Sequence, residues 1–156
     1  MTDEQYLKFA IDQARMSMEQ GGFPAGAVLV REGEIVVKGV SLGSILHDPT
    51  SHAETATIRE ACRILETTSL AGATLYASME PCLMCFCGAY WADVSKIVFG
   101  CRRTDPMIEK GFYQGRTEIS VVNDENNRKI ELVYLQDFEE EVLGIIKEWE
   151  GKIGQE

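Results

Sequence analysis

His52, Glu54, Cys82 and Cys85 are the residues of this chain best suited to chemistry, by type and by spacing. His52-Ala53-Glu54 is followed 26 residues later by Glu80-Pro81-Cys82-Leu83-Met84-Cys85. One imidazole and two thiolates are good zinc ligands, and a site with three protein ligands keeps a fourth position open for water. Cys82 and Cys85 stand at i and i+3, so on a helix both sulfurs face the same side. His52 is expected to open one helix and the cysteine pair another. The partial positive charge of helix N-termini favours thiolate over thiol. Two helix starts can then pinch one divalent ion. Glu54, two residues from His52, stands close enough to such an ion to move protons.

Each part of this pattern has a plainer reading. Ser51-His52-Ala53-Glu54 fits a capping box, in which Glu54 only caps its helix. A lone histidine at a helix start is ordinarily a surface residue. Cys82 and Cys85 alone read as a dithiol redox pair or as half of a structural zinc site. The conjunction favours a catalytic ion. A structural site wants a fourth Cys or His, and Cys62, Cys87, Cys101 and His47 are poorly placed to supply it. A redox pair needs neither His52 nor Glu54.

H-x-E with P-C-x-x-C resembles the signature of the zinc deaminases. From about Leu7 to Gly100 the chain resembles the cytidine deaminase-like superfamily, within the branch holding cytosine, guanine and tRNA adenosine deaminases. The resemblance implies a three-layer α/β fold with a mixed five-stranded sheet flanked by helices. It implies one Zn2+ per chain on His52, Cys82 and Cys85, with Glu54 as a proton shuttle off the metal. The reaction implied is hydrolytic. A water acidified by zinc gives its proton to Glu54 and attacks the carbon bearing the exocyclic amine. Glu54 then hands protons to the ring nitrogen and the departing amine, and ammonia leaves. A homodimer is implied as well.

The substrate contacts implied are Phe23, Ala25, Ser41 and Ala53. Gly21 to Val28 matches the pocket-floor pattern of the superfamily. Ala25 stands where relatives usually carry Val, Ile or Phe. Ser41, eleven residues before His52, stands where they carry Asn. Both changes remove bulk, and a hydroxyl reaches less far than an amide, so a wider pocket is expected. Gly88-Ala89-Tyr90-Trp91-Ala92 and Thr104-Asp105 resemble guanine deaminases. Tyr113-Gln114, however, replaces the acidic pair expected after Gly111-Phe112. Phe23, Trp91, Phe112 and Trp149 are candidates for core or pocket wall.

Composition bears on the substrate. The net charge is −10, from 25 acidic against 15 basic residues. An enzyme acting on tRNA must neutralise phosphates, yet the last helix carries Glu139, Glu140, Glu141, Glu148 and Glu150. Arg102-Arg103 forms a local basic pair. The expectation is therefore a free nucleobase or related amino-heterocycle, of cytosine or guanine type, and no nucleic-acid partner. A tRNA-specific adenosine deaminase is the alternative, and a non-catalytic zinc-binding module is a third reading. The 156 residues fit one domain, 1–156. No apolar run approaches the ~20 residues of a membrane helix. The acidic start and five cysteines without a disulfide pattern suggest a cytoplasmic protein.

The elements that must position these residues alternate. Helices are expected over about 3–20, 51–66, 82–92 and 138–149. A hairpin turns at Glu32-Gly33 between 25–31 and 34–40. Strands are expected at 74–78, 96–100 and 119–122, and 130–135 is ambiguous.

Overall fold

The computed structural model describes residues 1–154. Helix α1 (Asp3–Glu19) leads into the hairpin of β1 (Gly26–Arg31) and β2 (Glu34–Val40). A one-turn helix α2 (Gly43–Leu46) precedes α3 (Ala53–Leu65), β3 (Thr74–Ala77), α4 (Leu83–Trp91) and β4 (Lys96–Phe99). Short helices α5 (Asp105–Glu109) and α6 (Ile119–Glu125) follow, then β5 (Glu131–Tyr134) and α7 (Glu139–Ile153). The sheet order is β2-β1-β3-β4-β5. β1 runs antiparallel to β2 and β3, whereas β3, β4 and β5 are parallel. The mixed five-stranded α/β sheet agrees with expectation.

Two glycines show how the layers close. A Cβ on Gly26 would lie 2.3 Å from the Ala10 carbonyl of α1. A Cβ on Gly39 would lie 2.0 Å from Thr57 Oγ1 of α3. Gly39 pairs with Ala27, the neighbour of Gly26, so these positions face opposite sides of the sheet. Helices α1 and α3 therefore cover its two faces, and β1 is buried along nearly its whole length. Leu7, Ala10, Ile11, Ala14 and Met18 form the inward stripe of α1. Its start is the Thr2–Gln5 capping box. The hairpin turn takes positive φ at Glu32 and Gly33, the hand that suits a tight antiparallel connection.

Residues 119–122 are the first half of α6, not a strand. Their β-branched apolar run mimics a strand, but Ile119 and Asn123, one helical turn apart, are the buried positions. Asn123 exchanges hydrogen bonds with the Ile130 backbone at 2.8 and 2.9 Å, which docks the helix beside β5. The ambiguous 130–135 segment is the edge strand β5. The last helix runs four residues beyond Trp149 to Ile153. No helix of the described residues is long and apolar enough to cross a membrane.

Thr57 carries a polar orphan. It is fully buried on α3, and its hydroxyl finds no hydrogen-bond partner among the described residues. Thr57→Val keeps the shape and removes the unpaired group. It is expected to stabilise the protein by about 1 kcal/mol, read as a Tm higher by roughly 2–4 °C in thermal unfolding.

Candidate active site

His52 and Cys82 are the N-cap residues of α3 and α4, and Cys85 lies in the first turn of α4. Neither side chain makes a capping hydrogen bond to its helix, which leaves both free for other partners. The capping-box reading of Ser51 and Glu54 is therefore not realised. Ser51 instead belongs to the turn before the helix. Asp48 accepts from the Thr50 amide at 2.9 Å, the Thr50 hydroxyl at 2.7 Å and the Ser51 hydroxyl at 2.9 Å. Arg59, from the second turn of α3, donates to the Ser51 hydroxyl at 3.0 Å. These bonds, that from the Thr50 hydroxyl first, hold the Asp48 carboxyl at about 2. They fix the chain that delivers His52.

Ligand atoms of His52, Cys82 and Cys85 all lie within 4.8 Å of one another. Nδ1 of His52 is 3.5 Å from Sγ of Cys82. Tetrahedral bonds of ~2.3 Å to sulfur and ~2.0 Å to nitrogen would separate such a pair by about 3.5 Å. The donor set and its spacing thus fit zinc. The Cys85 thiol hydrogen-bonds Cys82 and pulls it down to about 4, with His52 assisting. Cys85 is pushed up by the same bond and by burial. His52 is raised, chiefly by its bond to Cys82. Thr55 Oγ1 lies 3.1 Å from Cys85 Sγ and orients the buried ligand.

Glu54 is 5% exposed. Burial pushes its carboxyl up to about 7, opposed by its own backbone N–H and by His52. A nearby cation favours the ionised form. The cavity it faces has a volume of about 310 Å³. Phe23, Ala25, Ser41 and Ala53, the four expected substrate contacts, all line it, together with His52 and Cys82. Phe23 and Phe112 are wall residues, with ring centroids 5.2 Å apart, and Trp149 of α7 packs on both. Trp91 is neither core nor wall: it is 80% exposed on α4. His47 is a loop residue with positive φ at the end of α2.

Sequence reasoning missed several residues here. Met79, Glu80 and Tyr113 line the cavity. Ser17 is buried on α1, donates to the Phe23 carbonyl at 2.6 Å and accepts from the Ser41 amide at 3.2 Å. It joins two walls from behind. The only sequence signal for it was a polar residue beside the apolar stripe of α1.

Residues 1–101 match the family model for the cytidine and deoxycytidylate deaminase zinc-binding region. A tRNA-specific adenosine deaminase of Aquifex aeolicus is 42% identical over 99 residues, 64% of this chain and 66% of that protein. Guanine deaminase of Bacillus subtilis is 39% identical over 113 residues, 72% of each chain. A solved structure from work on A-to-I editing by tRNA deaminases at the wobble position superposes with a TM-score of 0.78. It is 28% identical, over 91% of this chain and 99% of that one. The chain thus spans just under two thirds of the Aquifex relative it matches. These likenesses overturn the expectation of a free nucleobase substrate and of no nucleic-acid partner, because relatives named for tRNA are matched at up to 45% identity. That expectation rested on a charge of −10 summed over the whole surface. Such a sum does not describe the rim of one cavity. By its family model and its ligand set together, the chain belongs to the zinc-binding cytidine and deoxycytidylate deaminase family.

Proposed function

We propose that this protein is a zinc-dependent hydrolytic deaminase that converts adenosine to inosine in tRNA. The observation that carries the reading is the 42% identity to a tRNA-specific adenosine deaminase. His52, Cys82 and Cys85 would hold the ion, which when bound lowers the pKa of a water beside it. Glu54, with no better partner in the buried pocket than its own amide and a thiol, takes a proton from the attacking water. It returns protons to the ring nitrogen and to the leaving amine, so adenosine plus water becomes inosine plus ammonia. An adenine inside a folded RNA must be turned out to reach such a pocket. Phe23 and Phe112 offer faces for the extruded base.

Local cations suit this substrate better than the global charge does. Arg59 sits beside Ser51 at the foot of the His52 helix. Lys110 precedes the lining residue Gly111 and is paired to Glu150 at 2.7 Å in a half-exposed bridge that a phosphate can compete for. The same reading covers one deaminase domain over residues 1–156, a cytoplasmic location and a homodimer, with the exposed Trp91 as a contact.

The test pairs two assays of zinc-loaded protein. Inosine is read in transcribed tRNA by sequencing, and ammonia release is followed with adenine, guanine and cytosine. Inosine at one position with no release from free bases is the expected result. Release from a free base with no inosine in tRNA would reject the proposal.

A further inference from the structure

We infer that Arg103 and Tyr113 are positioning residues that latch the segment 111–118 onto the Cys82 turn and so set one wall of the cavity. The inference rests on the reading that this cavity receives the substrate base. Gly111, Phe112 and Tyr113 line the cavity, but the segment that holds them has little regular structure of its own. Its anchors lie elsewhere. Arg103, in the loop after β4, has only 9% of its side chain exposed. Its Nη1 donates to the carbonyls of Gly115 at 3.1 Å and Thr117 at 2.7 Å, and Nη2 donates to that of Arg116. On its other edge Nε lies 3.4 Å from the Glu80 carboxylate. Glu80 is two residues before Cys82 and itself 11% exposed.

Two further bonds join the same partners. The Tyr113 hydroxyl donates to the Glu80 carbonyl at 2.7 Å, and the Leu83 amide donates to Gln114 Oε1 at 3.4 Å. One guanidinium therefore collects three successive carbonyls and ties them to the turn that presents Cys82. A planar five-donor fork can do this, and a lysine ammonium cannot. An arginine so fully occupied is no free phosphate contact, although it forms a basic pair with Arg102 in the sequence. Phe112, 5.2 Å from Phe23 and 5.8 Å from Trp149 between ring centroids, carries the latch's effect to the opposite wall and to α7.

Loosening the latch should misplace the wall and leave Glu54 and the ligands in place. Arg103→Lys, Arg103→Ala and Tyr113→Phe test this against wild type in the zinc-loaded protein, with zinc content measured for each. Amide hydrogen exchange over 111–118 is expected to rise about tenfold or more in both Arg103 variants and less in Tyr113→Phe, with exchange in α3 unchanged. KM for tRNA is expected to rise about tenfold while kcat stays within about twofold. Lysine should not rescue alanine. Unchanged exchange in Arg103→Lys and Tyr113→Phe would overturn the latch, even if Arg103→Ala fails to fold. Raised exchange with KM unaltered, or a loss confined to kcat, would overturn its role in the wall. If wild type makes no inosine, the functional proposal fails and the exchange data still decide the latch.

Discussion

Glu54→Ala is expected to lower kcat/KM by about 10³-fold or more while the protein keeps one zinc per chain. A single positioned acid–base group is worth roughly 10²–10⁴. Glu54 stands at the upper end because one carboxyl serves the attacking water, the ring nitrogen and the leaving amine in turn. Wild-type activity should fall as pH drops through the pKa of Glu54, since the base must be ionised. The variant's residual rate should lack that acidic limb. Metal analysis and turnover on one preparation separate the rivals. A non-catalytic zinc module would bind its partner equally well with alanine at this position. A variant that loses zinc would instead make Glu54 a ligand and overturn its role as shuttle.

Neutralising the same carboxyl in Glu54→Gln has a stability signature of opposite sign. Burial raises the Glu54 carboxyl from its ordinary 4.5 to about 7 in the protein groups alone. An acid whose folded pKa is raised holds its proton longer when folded. The folded state is therefore penalised increasingly as pH rises from 4.5 to about 7, and the penalty is complete above that. Metal-free Glu54→Gln should have a higher Tm than metal-free wild type at pH 8 and nearly the same Tm at pH 4. A carboxylate kept where it costs stability is the trade expected of a functional group.

How much was legible follows from the distance over which each signal acts. His52, Glu54, Cys82 and Cys85 were readable because each group lies within one helical turn and the turn chemistry is local. The hairpin and the α1 stripe were readable for the same reason. Helix α6 was not, because its identity depends on Asn123 reaching the Ile130 backbone, a tertiary bond that overrides the strand-like run Ile119–Val122. Helix α5 did leave a local mark, Thr104 capping the Met107 amide with Pro106 in the first turn. The latch left none: Glu80 and Arg103 meet only after β4 has been laid beside β3. The substrate was misjudged because net charge carries no coordinates. Ala25 and Ser41 line the cavity, and their offsets from the hairpin and from His52 are short enough to show in the sequence.

Removing the metal, or Cys85, should produce the largest change in stability. At a free zinc concentration about a thousandfold above Kd, mass action stabilises the folded state by about 4 kcal/mol. For a domain of this size that is a Tm shift of roughly 8–16 °C. Chelation should abolish the shift and the activity together, and added zinc should restore both. Cys85→Ser should remove the zinc-dependent part of the Tm. Its sulfur is fully buried, 3.1 Å from Thr55 Oγ1, where a hydroxyl is a poor ligand and no water can take its place. His52→Ala should retain some metal, because His52 is exposed at its helix start and water can fill its position. The comparison also judges the dithiol reading. A redox pair would leave Tm indifferent to zinc and sensitive to oxidant, with or without His52. A metal site predicts the reverse, with bound zinc protecting Cys82 and Cys85 from oxidation for as long as all three ligands remain.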